Sequence, residues 1–217
     1  MNKSSIVLIT TLLALAVPAV SLQAGTREDW EVQQANAIMQ RFKAMPEKSI
    51  PKRVLRDARG LAILTVTKGG FIWSVKGGHG IVIARNKNGW SGPAFIRTGG
   101  VGFGAQIGGE VTEYVLVLNT PEAVRAFSQN ANVELGGALS AAAGPVGRDA
   151  EAGVMPKAAV YTYSRSQGLF AGASLEGSVI TANKKANKNY YHSNITPGQI
   201  LAGQGGHHSS GPMLTSR

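Results

Sequence analysis

GGVGFGAQIGGEVTEYVLVL, residues 99–118, decides how the chain folds. At a period of two, Gly100, Gly102, Gly104, Gln106, Gly108 and Glu110 share one face, and Val101, Phe103, Ala105, Ile107 and Val111 share the other. Alternation of this kind belongs to a strand. One face is therefore apolar and the other nearly bare backbone. Glycine weakens a strand interior, so a row of it needs a bend, a bulge, or another backbone or ligand lying close. From Tyr114 to Leu118 the run becomes continuously apolar, as in a strand covered on both sides. The stretch reads as the central strand pair of a tightly curved sheet.

The neighbouring sequence extends that sheet. Leu61–Val66, Phe71–Ser74 and Gly80–Ala84 read as short strands, with Gly77-Gly-His-Gly80 as a turn between the last two. Asn86-Lys-Asn-Gly89 is a second turn, leading into Trp90–Ile96. Ala158–Ser164 alternates as a strand, and 168–177 repeats the glycine–apolar texture. Strands joined by tight turns pair antiparallel.

Helices flank the strands. Thr26 with Asp29 three residues on forms a capping pattern, and Ala35, Ile38, Met39, Phe42 and Met45 then line one helix face up to Pro46. Ile50–Gly60 reads as a second short helix, with Pro51 in its first turn and Gly60 as its C-cap. On that reading Lys52, Arg56 and Arg59 share a face and Arg53 lies beside them. Thr120–Phe127, Thr181–Tyr191 and Thr196–Leu201 are further short helices. The expected fold is α+β: a curved, mainly antiparallel, glycine-rich sheet, near closure, covered by N- and C-terminal helices.

Lys3, the apolar run Ile6–Val20 and the small residues before Gly25 have the layout of a secretory signal. The expected organisation is a signal peptide at 1–24, one domain at 25–203 and a disordered tail at 204–217, in a protein exported to the periplasm or envelope and peripheral to the membrane. The chain carries a net charge of +10. From Arg41 to Arg97 stand twelve Lys or Arg against two acids, Glu47 and Asp57. A one-sided charge of this kind suits an anionic surface.

Catalytic chemistry finds little support. Without cysteine there is no thiolate nucleophile, disulfide or Cys-based metal site. Gly100-Val-Gly-Phe-Gly-Ala105 fits the dinucleotide fingerprint in letters, but the sequence continues as strand where the fingerprint must open a helix. His79, His192, His207 and His208 form no ligand set, and Glu110 and Glu113 fall on opposite strand faces. No cofactor, no metal and no enzymatic activity are expected.

A set of motifs in register carries a resemblance. Ala58-Arg-Gly-Leu-Ala-Ile63, Lys68-Gly-Gly-Phe71, Gly78-His-Gly80, Trp90-Ser-Gly-Pro93, Gly100–Gly104, Gln106–Thr112, Ala143–Arg148, Tyr163–Gly172 and Ser174–Gly177 resemble the SYLF domain over roughly Ala35 to Gly203. The resemblance implies a non-catalytic lipid-binding module, with affinity for phosphoinositides in eukaryotic members and actin binding in some fungal ones. It attributes lipid binding to an N-terminal basic region, which maps onto Ile50–Gly60, with Lys52, Arg53, Arg56 and Arg59 in the charged role. Lys68, Lys76, Arg85, Arg97 and Arg148 are the next lipid-binding candidates. The chain departs from the eukaryotic pattern in its signal-like start, in lacking an SH3 or FYVE companion, and in having His192 where a glycine commonly follows the paired aromatics. The expected partner is an anionic phospholipid or membrane surface, and no nucleic acid. The alternative is an envelope structural or adaptor protein that binds another protein through a glycine-rich edge.

Overall fold

The computed structural model describes residues 26–45, 49–87, 89–129, 132–134, 139–146, 157–168 and 179–205, without the side chains of 71–73, 102–107 and 168. The expected signal peptide, the segment 169–178, Arg148 and all but the first residues of the tail lie outside the described residues.

The molecule is α+β, built on a curled, mostly antiparallel sheet. Its helices are α1 (Arg27–Lys43), α2 (Lys52–Asp57), α3 (Pro121–Ser128), α4 (Lys184–Tyr191) and α5 (Pro197–Leu201). Its strands are β1 (Gly60–Asn86), β2 (Gly89–Trp90), β3 (Ala94–Leu118), β4 (Val133–Glu134), β5 (Ala141–Ala143), β6 (Val160–Gly168) and β7 (Val179–Ala182).

β1 and β3 form one very long antiparallel hairpin, in register from Gly60↔Leu118 to Val82↔Ala94. The other edge of β3 is shared. β6 pairs with its C-terminal half, Glu110 to Leu118, and β7 with Ile96 to Gly99. β5 joins β6 in parallel, and β4 joins β7.

Two sequence expectations change here. The Gly77–Gly80 turn does not exist, because those residues pair with Gly99, Thr98, Arg97 and Ile96 inside β1. The stretch 99–118 is likewise one continuous strand with the residues before it, not a strand pair. What bends is the hairpin itself. Its register shifts between Phe71 and Trp73, a bulge that sharpens the local twist. Beyond the bulge β1 folds back over its own first half. A Cβ at Gly78 would lie 2.5 Å from the Thr65 carbonyl oxygen. One at Gly80 would lie 2.8 Å from Leu64 Cα and still closer to the Ile63 carbonyl oxygen. At Gly60 it would meet the Ile83 oxygen at 2.9 Å. The closure is sealed by backbone bonds, Arg85 N–H to the Arg59 carbonyl and Arg59 N–H to that of Leu118, both 2.8 Å. Close approach is thus the reason for glycine at positions 60, 78 and 80 of β1. At Gly99 and Gly109 of β3 an added Cβ would sit no nearer than 3.9 and 4.0 Å to any neighbour. Gly102 and Gly104 fall among the residues whose surroundings are not described.

The alternation read in β3 holds where its side chains are described, and the structure decides which face is inward. Glu110 and Thr112 are buried, whereas Val101 and Val111 are exposed. The inward face in this part of the strand is the polar and glycine one. Glu110 is buried opposite Lys68, and its Oε1 has no hydrogen-bond partner among the described residues. Tyr114, on the same face, has its phenol pushed up to about 12, chiefly by burial.

The core lies between the doubled hairpin and the helices. Thr26 and Asp29 form the expected capping box of α1. Val32, Ala35, Ile38, Met39 and Phe42 are buried along its inner face. Full burial of side chains this size contributes roughly 1.5–3 kcal/mol each for the larger ones. Arg41 of α1 donates to Glu113 of β3 at 2.6 and 3.1 Å, and Arg165 of β6 reaches the same carboxylate at 3.4 Å. This triad joins three elements. The region read as a helix from Thr181 begins instead with β7, and the helix waits for the Asn183 cap, whose side chain accepts from Ala186 N–H. Asn187 of α4 is fully buried and pairs with Phe95 as a peptide would, accepting from its N–H at 2.8 Å and donating to its carbonyl at 3.4 Å. α3 and α5 start at Thr120 and Thr196 caps, as the Thr-Pro dipeptides predict.

Candidate functional site: a basic surface at the seam of the hairpin

α2 is a short helix held by its apolar side. Pro51 stands at its N-cap, the Pro51 carbonyl accepts the first helical bond from Leu55 N–H, and Ile50, Val54 and Ala58 are buried. The helix ends at Asp57, and Ala58 is already extended at ψ 135°. It is therefore shorter than Ile50–Gly60. Gly60 is not a C-cap but the first residue of β1, kept small by Ile83. Arg59 consequently does not share a helical face with Lys52 and Arg56. It lies past the helix, its backbone bonded into the seam.

All four cations, Lys52, Arg53, Arg56 and Arg59, are exposed. Asp57 is the carboxylate among them. Its oxygens lie 3.8 Å from Arg53 Nε and 3.2 Å from Arg56 Nε. Exposed pairs of this kind contribute about 0–1 kcal/mol, so they hold the guanidinium groups loosely. Among the described residues the Lys52 and Arg59 side chains have no polar partner.

Arg85 comes to the same place from the far end of β1, though for another purpose. Its guanidinium donates to the Arg56 carbonyl at 2.7 Å and the Leu55 carbonyl at 3.4 Å. It also lies 4.8 Å over the Trp90 ring. It satisfies carbonyls that the end of a helix leaves open and fastens α2 to the hairpin. No motif announces this role, since Arg85 and α2 are about 30 residues apart and meet only because β1 doubles back.

The remaining expected residues stand elsewhere. Arg97 is exposed, pairs in register with His79 and donates to Thr181 Oγ1 at 3.4 Å. Arg85 lies six positions beyond His79 along β1, about 20 Å. Lys68 and Lys76 lie nearer the bend, opposite Glu110 and Gly100, and both are partly buried. Arg148 is outside the described residues. The structure thus gathers Lys52, Arg53, Arg56, Arg59 and Arg85, and leaves Lys68, Lys76 and Arg97 along the hairpin. His79 is a strand residue whose ring packs on Trp30 at 5.8 Å, and burial, with Arg27 second, lowers its pKa. Among the described residues no three His, Cys, Asp or Glu gather as a metal site. No described helix is long and apolar enough to cross a membrane.

A doubled glycine hairpin with a short basic helix at its seam defines a class of small α+β module. The family model described as Ysc84, Las17-binding protein actin regulator, matches residues 99–215. Protein YSC84 of Saccharomyces cerevisiae is 46% identical over 163 residues, 73% of this chain and 35% of that protein. LAS seventeen-binding protein 3 of the same yeast is 45% identical over 73% of this chain and 36% of its own. The SH3 domain-containing YSC84-like protein 1 of Homo sapiens is 44% identical over 181 residues, 80% of this chain and 53% of that protein. The chain belongs to the Ysc84, or SYLF, family. It spans between about a third and a half of the length of these relatives, one of which is named as a LAS seventeen-binding protein.

Proposed function

We propose that this protein is a non-catalytic module that binds anionic, phosphate-bearing lipid headgroups at a membrane surface of the cell envelope. The observation that carries this reading is the exposed set Lys52, Arg53, Arg56 and Arg59, fixed on a buried apolar footing with Asp57 as the carboxylate beside it. Guanidinium and ammonium groups make charge-assisted bonds to phosphate oxygens. Basic residues near an anionic leaflet contribute about 1 kcal/mol each. The envelope location rests on reading residues 1–24 as an export signal.

The relatives' names support a second reading, a protein partner of the Las17 or actin-regulator kind. Salt separates the two, because attraction to a charged bilayer through exposed cations weakens steeply with ionic strength.

The deciding variant carries Lys52→Gln, Arg53→Gln, Arg56→Gln and Arg59→Gln together. Its melting temperature should stay near the parent's, since exposed charges contribute little to the fold. In co-sedimentation with phosphatidylglycerol vesicles at low salt its affinity should fall by about two to three orders of magnitude, at about 1 kcal/mol per charge. Phosphatidylcholine vesicles serve as the neutral reference. Undiminished sedimentation of the variant with anionic vesicles would remove this site.

A further inference from the structure

The outward face of the hairpin carries an apolar surface that no part of the described chain covers. Val75 and Val101 are direct cross-strand partners, 66% and 79% exposed. On one side the same face continues through the pairs Gly77↔Gly99 and His79↔Arg97. The His79 ring there supports Trp30, itself 50% exposed. Valine pairs of this exposure sit on a strand only at the expense of unburied apolar area, and large side chains left bare together mark an interaction surface.

The glycines between the valines and Trp30 point the same way. At Gly78 and Gly80 the fold excludes a side chain, but at Gly77 an added Cβ would meet nothing within 4 Å, and at Gly99 only the Lys76 carbonyl at 3.9 Å. Neither has a positive φ. The isolated fold thus has room for side chains at both positions. Their bareness leaves the face flat between Val75/Val101 and Trp30.

Charge selects the occupant. Arg97 stands on this face, and Glu113, the acid further along the same side of β3, is taken by Arg41 and Arg165. Glu134, exposed and paired with Val179 beside Gly99, is the carboxylate at the outer edge of this face, but a second copy would bring one net charge of +10 against another. An anionic bilayer complements it. Valine side chains suit the boundary of headgroups and acyl chains, a half-exposed tryptophan suits headgroup level, and arginine reaches phosphate.

We propose that this outer face, with Val75 and Val101 at its centre and Trp30 and Arg97 at its edge, lies on the membrane and inserts the two valines to the depth of the headgroup–acyl boundary. The proposal rests on the lipid-binding reading above but assigns the inserted contact to the hairpin, away from α2.

The chain has no cysteine, so a single introduced thiol labels cleanly. Val101→Cys and, as a comparison, Lys52→Cys are labelled with an environment-sensitive nitrobenzoxadiazole dye in the full chain. They are then titrated with vesicles of phosphatidylglycerol and phosphatidylcholine, with and without lipids spin-labelled near the headgroup. The label at 101 should shift to the blue, brighten at least about twofold and be quenched by the spin label, whereas that at 52 should stay water-like. Val75→Asp with Val101→Asp should melt like the parent and bind vesicles at least about tenfold more weakly. Three results overturn the proposal. If the label at 101 remains in water while the protein sediments with vesicles, the hairpin is not inserted and the lipid reading survives alone. If the parent binds no vesicle of either kind, both fall together. If the parent is a dimer in sedimentation velocity and the aspartate pair makes it a monomer, the face belongs to a second copy.

Discussion

Replacing Gly80 by alanine tests the doubled hairpin directly. The added methyl group would be driven against the Ile63 carbonyl, with Leu64 Cα 2.8 Å and Ile63 C 2.9 Å away. These are backbone atoms, held by the ladder from Ile63↔Val115 to Leu64↔Tyr114, and they cannot rotate aside as a side chain would. Overpacking costs about 1–3 kcal/mol, and a rigid neighbour places this site near the top, at about 3 kcal/mol. In a chain of this length each kcal/mol moves the melting temperature by about 2–4 °C, so Gly80→Ala should melt about 6–12 °C below the parent. Gly77→Ala, three residues earlier, is the internal control. Its Cβ points into open space, and alanine reduces the freedom of the unfolded chain, so its melt should match or slightly exceed the parent's. Circular dichroism melts of the three proteins side by side decide the matter. If Gly80→Ala melts within about 1 °C of the parent, the two halves of β1 do not pack as described.

Two further predictions concern particular groups. His192 ends α4 at φ 51°, the left-handed conformation that costs a residue with a side chain roughly 1–2 kcal/mol. His192→Gly should raise stability by about 1 kcal/mol, read as the midpoint of a urea unfolding curve, and a lower midpoint would contradict the strain. His79 has its pKa lowered by burial, so its contribution to stability is complete above pH 6.5 and is lost as pH falls toward the folded value. Glu31, raised by burial from 4.5, has the opposite slope, full below 4.5 and lost as pH rises. His79→Gln should therefore narrow the stability difference between about pH 7.5 and pH 5.5, and an unchanged difference would show that His79 does not titrate with folding.

Local signals were read well where their cause is local. The Thr26–Asp29 box, the Ala35–Phe42 stripe, the Thr120–Pro121 start and the doubly covered Tyr114–Leu118 run all follow from neighbours within a few residues. The Gly77–Gly80 segment was misread because a glycine cluster has the same composition whether the chain turns there or passes close to another backbone. The partner that decides is Ile63 to Val66, about 15 residues back and invisible to any window. Which face of β3 is covered was likewise open. An apolar alternation reports two faces, but not which one the second layer will cover, and here the covered face holds Glu110 and Thr112. For the basic surface, residue type was legible and grouping was not. Lys52, Arg53, Arg56 and Arg59 are neighbours in sequence, whereas Arg85 joined them only through the closure of β1. His192 was marked only by the resemblance, which implies a glycine after the paired tyrosines, the residue that the left-handed cap there favours.

The sharing of β3 between β6 and β7 has a consequence for the order in which the molecule can be completed. Synthesis delivers β1 and β3 first, and their hairpin can zip from the Asn86–Gly89 end while one side of β3 still has nothing to pair with. Among the described residues that side is closed by chain made about 40 to 90 residues later: β6 for the C-terminal half, β7 for Ile96 to Gly99, and Asn187 standing in for a strand at Phe95. Until then β3 offers an apolar template to any extended chain nearby. The C-terminal third is accordingly the protein's own guard against misassembly. Losing β7 and α4 would expose it to edge-to-edge aggregation even though the hairpin core from Leu61 to Leu118 is intact in sequence.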